Sequence, residues 1–279
     1  MPTTSEIEQQ FAASRTVQRQ MAAFNAECQC TQRLMARQAA LHANLERVLV
    51  LDGSAFRWEG LGNAGVRWLG LLRFGFALER ATFLRISRDE DCKAGAPSDR
   101  TCHLDPGSYF TGYGGVDWHW GTREADTRRR LQERGVHEEV YTISGRCVTP
   151  APGLPGCSVS SIRLANGSDV RLDEPRGLLE WMRAQQAPWI RLVLERQEAL
   201  EFTSKGENLR APDMLPLQRC PASGAPDFSS REMSLKCEAF AALTPRPVLM
   251  EALLPVLRRL DAYDVVVGVH VRTGYSDWA

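Results

Sequence analysis

The sequence predicts an α/β fold, a parallel sheet flanked by helices, preceded by a long N-terminal helix. Three observations carry this. Residues 48–53 (VLVLDG), a glycine segment, an apolar stretch of helix length and a second apolar run at 81–87 (ATFLRIS) follow one another. That is strand, loop, helix, strand, the opening of a layered fold with parallel strands. The closing run at 264–272 (DVVVGVHVR) is apolar on both faces of a period-two pattern, as a central parallel strand must be. Residues 5–47 contain neither Gly nor Pro and are dominated by Ala, Gln, Arg and Glu, a helical composition.

The elements follow in order. Residues 1–47 read as a helical stem, one long helix or two broken ones, with Ile7, Phe11, Met21, Phe24, Leu34, Leu41, Leu45 and Val48 forming an imperfect apolar stripe. After the first strand, 54–65 (SAFRWEGLGNAG) is a loop with three glycines, and 66–80 (VRWLGLLRFGFALER) is the first core helix. Residues 88–122 are irregular, 123–135 form a charged helix, and 138–144 (EEVYTIS) form a strand. Residues 147–157 are a Pro/Gly loop, and 174–202 read as two helices broken near Pro188. A loop over 203–230 and a helix over 231–243 precede a Pro-started helix that leads into the closing strand at 264.

Composition narrows the function classes. With 34 basic and 34 acidic residues, the chain has no net field to attract nucleic acid or an anionic membrane. No window approaches the ~18 uninterrupted apolar residues of a membrane span, and the N-terminus has no apolar signal core. Six of the eight cysteines fall into short local pairs, Cys92 with Cys102, Cys147 with Cys157 and Cys220 with Cys237. Each pair brackets a loop that a bridge would restrain, and the spacing matches no zinc pattern. With the glycosylation sequon Asn166-Gly167-Ser168, the pairs point to a secretory compartment. A cytosolic protein with reduced thiols is the alternative.

Two constellations have residue types suited to chemistry. Gly60-Leu61-Gly62-Asn63-Ala64-Gly65 matches the dinucleotide pattern, but Ser54 to Glu59 separate it from the first strand. A true fingerprint starts where the strand stops. A glycine segment entering a helix still exposes backbone N–H groups suited to an oxyanion. The same segment also reads as a plain tight turn. The second constellation is His270 and Arg272 at the carboxyl end of the closing strand, the edge where parallel sheets bind ligands. The Arg272 fork suits a phosphate. An arginine paired with a structural carboxylate, beside a core histidine, is the bland reading.

These two segments, GLGNAGVRWLGLLRFGFALERATFLRIS and VVVGVHVRTG, resemble the GT-B fucosyltransferase superfamily, the α1,2-, α1,6- and protein O-fucosyltransferases. The resemblance lies in a G-x-G-N-type loop before a small-residue-rich helix and an apolar strand, and in an H-x-R motif, here His270-Val271-Arg272. It covers the ends of the folded region and touches 88–230 only through aromatic pieces such as DPGSYF and DWHW. It implies a Rossmann-like domain, half of a GT-B fold, over 48–279. It further implies fucose transfer from GDP-fucose to a glycan or glycoprotein acceptor in the Golgi lumen, with inversion and with no cofactor or metal. Arg272 would hold the donor phosphates with His270 in support, and Gly60, Gly62 and Asn63 would line the cleft beside them. Asp277 joins these as a substrate-side residue, and the general base stays open among Asp277, Asp117, His119 and Glu59.

The sequence departs from the family at Thr273, where several relatives carry a second basic residue. Only Thr273 to Ala279 follow the motif, so the donor-binding half is expected to be missing and the enzyme incomplete. Two rivals remain. A non-catalytic carbohydrate-binding or scaffold domain would use Tyr109, Tyr113, Trp118 and Trp120 as sugar platforms. An NAD(P) oxidoreductase would need the first strand to end at Gly60.

Overall fold

The structure, a computed structural model, describes residues 2–53, 61–85, 106–145, 159–163, 169–171, 175–194, 237 and 239–264. Three helices, α1 (Thr4–Ala13), α2 (Arg15–Glu27) and α3 (Gln29–Asn44), lead into β1 (Val48–Asp52). Then come α4 (Leu61–Ala77), β2 (Ala81–Arg85), the short α5 (Pro106–Tyr109), β3 (Phe110–Thr111) and α6 (Trp120–Glu133). The chain continues through β4 (Glu139–Gly145), β5 (Val159–Arg163), β6 (Asp169–Arg171), α7 (Pro175–Ala184), β7 (Trp189–Leu194), β8 (Thr244–Pro245) and α8 (Pro247–Leu260).

The main sheet has the order β2-β1-β7-β4-β5-β6. Its first four strands are parallel, and β5 and β6 extend it antiparallel. A four-stranded parallel sheet with helices on both faces is a Rossmann-like α/β arrangement. β1 lies between β2 and β7, and all five of its residues are buried. This is why VLVLD reads as a continuous apolar run rather than an alternating one.

Alternation sorts the side chains onto two faces. Leu49, Leu51, Leu84, Ile190, Leu192, Leu194 and Ile143 join one core with Trp68, Leu71, Leu72 and Phe74 of α4 and Leu178, Leu179 and Met182 of α7. Val48, Val50, Ala81, Phe83 and Trp189 join the second core, under Trp120 and Leu131 of α6. Arg128 of α6 lies over the rings of Trp120 (5.7 Å) and Trp189 (5.1 Å) and bonds Glu124 and Glu138. Its charge is thereby compensated where it borders an apolar core.

Several expectations need correction. The expected glycine loop is in part helix: α4 begins at Leu61, so Gly62, Asn63 and Gly65 lie in its first two turns. Within the second helix expected in 174–202, Trp189–Leu194 form not a helix but the strand β7, inserted between β1 and β4, and 195–202 lie outside the described residues. Trp189, Ile190, Leu192 and Leu194 are all buried, one face against α6 and the other against α4 and α7. A helix would have exposed part of that apolar set. The β5–β6 hairpin has no counterpart in the sequence reading. Of the closing strand expected at 264–272, only Asp264 is described, and 265–272 lie outside the described residues.

The N-terminal stretch is three helices, and the breaks have tertiary causes. Ser14 is extended (φ −60°, ψ 128°), and its hydroxyl caps α2 at Val17 N (3.4 Å). The same hydroxyl donates to Asp261 at the end of α8, which also accepts from the Thr16 amide (2.8 Å) and hydroxyl (2.7 Å). The second break is at Cys28, which is bonded to Cys237 across 209 positions. This overturns the expected Cys220–Cys237 pair; the Cys92–Cys102 and Cys147–Cys157 pairs lie outside the described residues. One turn from each cysteine, the rings of Phe24 and Phe240 stack at 4.5 Å. Loop length alone ranks the near partner first; packing decides for the far one. Phe24, Cys28, Leu34 and Met35 belong to the core that covers β1, so the helices expected as a stem are part of it.

His42 of α3 gives a pH signature. It is buried, its ring 4.4 Å from Phe83, and it bonds the Thr82 backbone. Burial, reinforced by the Arg123 charge, pushes its imidazole from 6.5 down to about 4, while Asp117 and the Thr82 bond act the other way. The unfolded chain therefore takes up a proton at His42 between these values and the folded chain does not. The contribution is fully present above 6.5 and is lost as pH falls toward 4, by on the order of 3 kcal/mol. Urea unfolding at about pH 7 and about pH 5 is expected to show a larger acid-induced loss in the wild type than in His42→Leu. Equal losses would remove His42 as the cause.

Candidate functional site

In open parallel sheets ligands bind at the carboxyl edge. Here β1 ends there with Asp52 and β2 with Arg85, while β7 supplies Arg191. Register places all three on the α6 face, in line with Val50, Phe83 and Trp189. Asp52 is 1% exposed. Its Oδ2 accepts from Arg191 Nε (2.8 Å) and Nη2, and Arg85 Nη1 is 3.5 Å away. Its Oδ1 accepts no hydrogen bond from a described residue. Charge this deeply buried persists only when paired. α4 leaves the same edge, since it connects the end of β1 to the start of β2.

A second group borders the free side of β2. Leu84 N donates to the Trp118 carbonyl (2.7 Å), so the segment at 117–119 continues the sheet as an isolated parallel bridge. His119 follows, 6% exposed, with its ring pressed between Gly107 and Gly121. Asp117 accepts from Arg246 Nη2 (2.8 Å) and the Thr122 hydroxyl (2.7 Å). Arg246 also donates to the Phe110 carbonyl (3.1 Å), so Asp117 ties α6 to the β3–β8 corner. A carboxylate engaged in this way is a poor general base.

Gly107 makes the His119 position testable. A Cβ there would overlap the imidazole, whose backbone is held by the bridge to β2. Gly107→Ala is expected to cost about 1–3 kcal/mol, the range for forcing a methyl into packed space. Thermal unfolding measures the cost, and an unchanged melting temperature would show that the ring moves freely.

Of the site residues expected from sequence, Gly62 and Asn63 lie in the first turn of α4, at the carboxyl edge. Gly60, His270, Arg272 and Asp277, with Glu59, lie outside the described residues. The aromatic platform is corrected in part. Trp118 (1% exposed) and Trp120 (0%) are core residues, and the Trp118 indole donates to the Ala242 carbonyl (2.7 Å). Tyr113 is half-buried against Phe24 at 5.1 Å. Sequence reasoning passed over Asp52, Arg85 and Arg191. The first two were visible as charged residues closing or interrupting apolar strands; Arg191 was hidden by the helical reading of its segment.

Among the described residues no cluster of His, Cys, Asp and Glu is arranged to hold a metal ion, and no helix is long and apolar enough to cross a membrane. Compared with family models, with curated proteins and with solved structures, the chain finds no match.

Proposed function

We propose that this chain forms a Rossmann-like half of a GT-B-type glycosyltransferase of the fucosyltransferase superfamily, acting on GDP-fucose and a glycan or glycoprotein acceptor in the Golgi lumen. The observation that supports it most is the β1–α4–β2 unit. A glycine-rich stretch enters a helix at the carboxyl edge of a parallel sheet and is followed by a parallel strand. That order matches the N-terminal segment whose sequence resembles the family.

In this reading Arg272 neutralises charge that develops on the β-phosphate as the bond from fucose to GDP breaks, and His270 supports it. The Gly60–Asn63 segment offers space and backbone N–H groups beside the diphosphate. The NAD(P) alternative needs the strand to run to Gly60, and β1 instead stops at Asp52. The carbohydrate-binding alternative loses Trp118 and Trp120 to the core.

Calorimetric titration of the chain with GDP tests the reading, together with donor turnover on a glycan panel. Binding is expected to weaken with salt, as charge contacts do. Arg272→Ala is expected to lower GDP affinity, with Arg272→Lys a poor rescue because the planar fork is lost. GDP affinity unchanged in Arg272→Ala would make that arginine structural and overturn the assignment.

A further inference from the structure

We propose that Arg85 and Arg191, clasped by the buried carboxylate of Asp52, form a seat for a phosphate-type oxyanion at the carboxyl edge of the sheet, one that does not depend on Arg272. Both guanidinium groups converge on Asp52 Oδ2. One carboxylate offsets one of them, and the trio carries an excess positive charge. Counted with Arg128 and the two carboxylates it binds, the described charged groups here sum to zero, so the seat rests on guanidinium donors rather than on net charge. Glu124 and Glu138 are both engaged by Arg128, at 2.8 Å and 3.3 Å. Burial pushes the Glu124 carboxyl up, but bonds from Arg128 and Trp120 and the Arg128 and Arg85 charges hold it below its ordinary range, so Glu124 also feels Arg85.

Structural need explains only part of the arrangement. Arg191, with two N–H groups on one oxygen, already compensates the buried Asp52. A second cation on the same oxygen adds repulsion between like charges. An oxyanion bound between the two guanidinium groups relieves that repulsion. The donors for it are present: Arg191 Nη1, and Nε and Nη2 of Arg85, have no partner among the described residues. The side chains are also within reach, 24% exposed for Arg191 and 34% for Arg85, whereas Asp52 is closed off.

Location and chemistry agree. The seat lies where parallel sheets take ligands, and α4 starts from the same edge. Paired guanidinium forks select oxygens of phosphate or diphosphate geometry over a spherical anion. The phosphate has two sources, a free inorganic anion or the diphosphate of a nucleotide. The seat itself stands whether or not the transferase reading does.

The test is calorimetric titration of the full chain with inorganic pyrophosphate, carried out in wild-type and Arg272→Ala backgrounds. Arg85→Gln is the informative variant, because Asp52 keeps Arg191 and the fold is retained; an unchanged melting temperature verifies this. In both backgrounds Arg85→Gln is expected to lower the pyrophosphate affinity of the seat about tenfold or more, with partial recovery in Arg85→Lys. GDP binding more tightly than pyrophosphate in the Arg272→Ala background assigns the nucleotide as source, and equal binding assigns the free anion. Absence of saturable pyrophosphate binding in Arg272→Ala, or equal affinity with and without Arg85, would overturn the seat. The former result, with GDP binding intact in the wild type, leaves the Arg272 reading standing. Loss through Arg85 with no effect of Arg272 on GDP does the reverse.

Discussion

Replacing Cys28 and Cys237 together by serine is expected to lower the unfolding free energy by about 2–5 kcal/mol, one of the two largest effects of substitution in this chain. The bridge spans 209 positions, so it restrains most of the unfolded chain. In the chain-entropy account the restraint grows with the logarithm of loop length, which places this bridge near the top of the range. Both cysteines are buried (2% and 3% exposed) in the core that holds Phe24 and Phe240, so the serines also leave two small polar groups in apolar surroundings. Urea unfolding of the wild type, with and without reductant, and of the double variant measures the effect. The denaturant slope should rise when the cross-link is removed, because the unfolded state expands. Peptide mapping under non-reducing conditions should show Cys28 joined to Cys237, unaltered in Cys220→Ser. A fragment joining Cys220 to Cys237 would overturn the pairing.

Arg191→Met is the second large effect, expected to cost about 3–5 kcal/mol, the usual penalty for leaving a buried charge without its partner. Asp52 is 1% exposed and receives two of the Arg191 N–H groups. Arg85 remains 3.5 Å away and offsets part of the loss, which favours the lower end of that range. Asp52→Asn combined with Arg191→Met is expected to be markedly milder than Arg191→Met alone, because no buried charge is then orphaned. A double-mutant cycle in urea isolates the coupling. Additive single effects would show that the two side chains do not interact in solution. Binding can be read in the same variants: Arg191→Met should lose the oxyanion seat along with stability, whereas Arg85→Gln should lose the seat alone.

Much of the first half of the fold is legible in the residues themselves. VLVLD and ATFLR are short apolar runs bounded by loops, and a helix-length apolar stretch links them. Such a pattern has few solutions other than a parallel pair with a helix on one face. The charged pattern of α6 and the Pro-started α8 are equally local, since capping and composition act within a few residues. The start of α4 was misplaced because Gly60, Gly62 and Gly65 argue locally for a loop, while a helix whose later turns are buried tolerates two glycines in its first two.

The remainder was decided by contacts between distant positions. WIRLVL, followed by ERQEAL, reads equally well as helix; it is a strand because a slot between β1 and β4 buries Trp189 on one face and Ile190, Leu192 and Leu194 on the other. Apart from the Ser14 cap on α2, nothing near Ser14 or Cys28 breaks a helix. The breaks follow from Asp261 and Cys237, more than 200 positions away. The same holds for the site. An aspartate ending one strand and arginines on two others are unremarkable one at a time, and only the parallel register aligns them on one face. From its own sequence the chain determined its α/β class, its first strand–helix–strand unit and its charge balance. Tertiary structure decided the strand identity of β7, the partner of Cys237 and the meeting of Asp52, Arg85 and Arg191, because each depends on the energy of burying groups that are far apart along the chain.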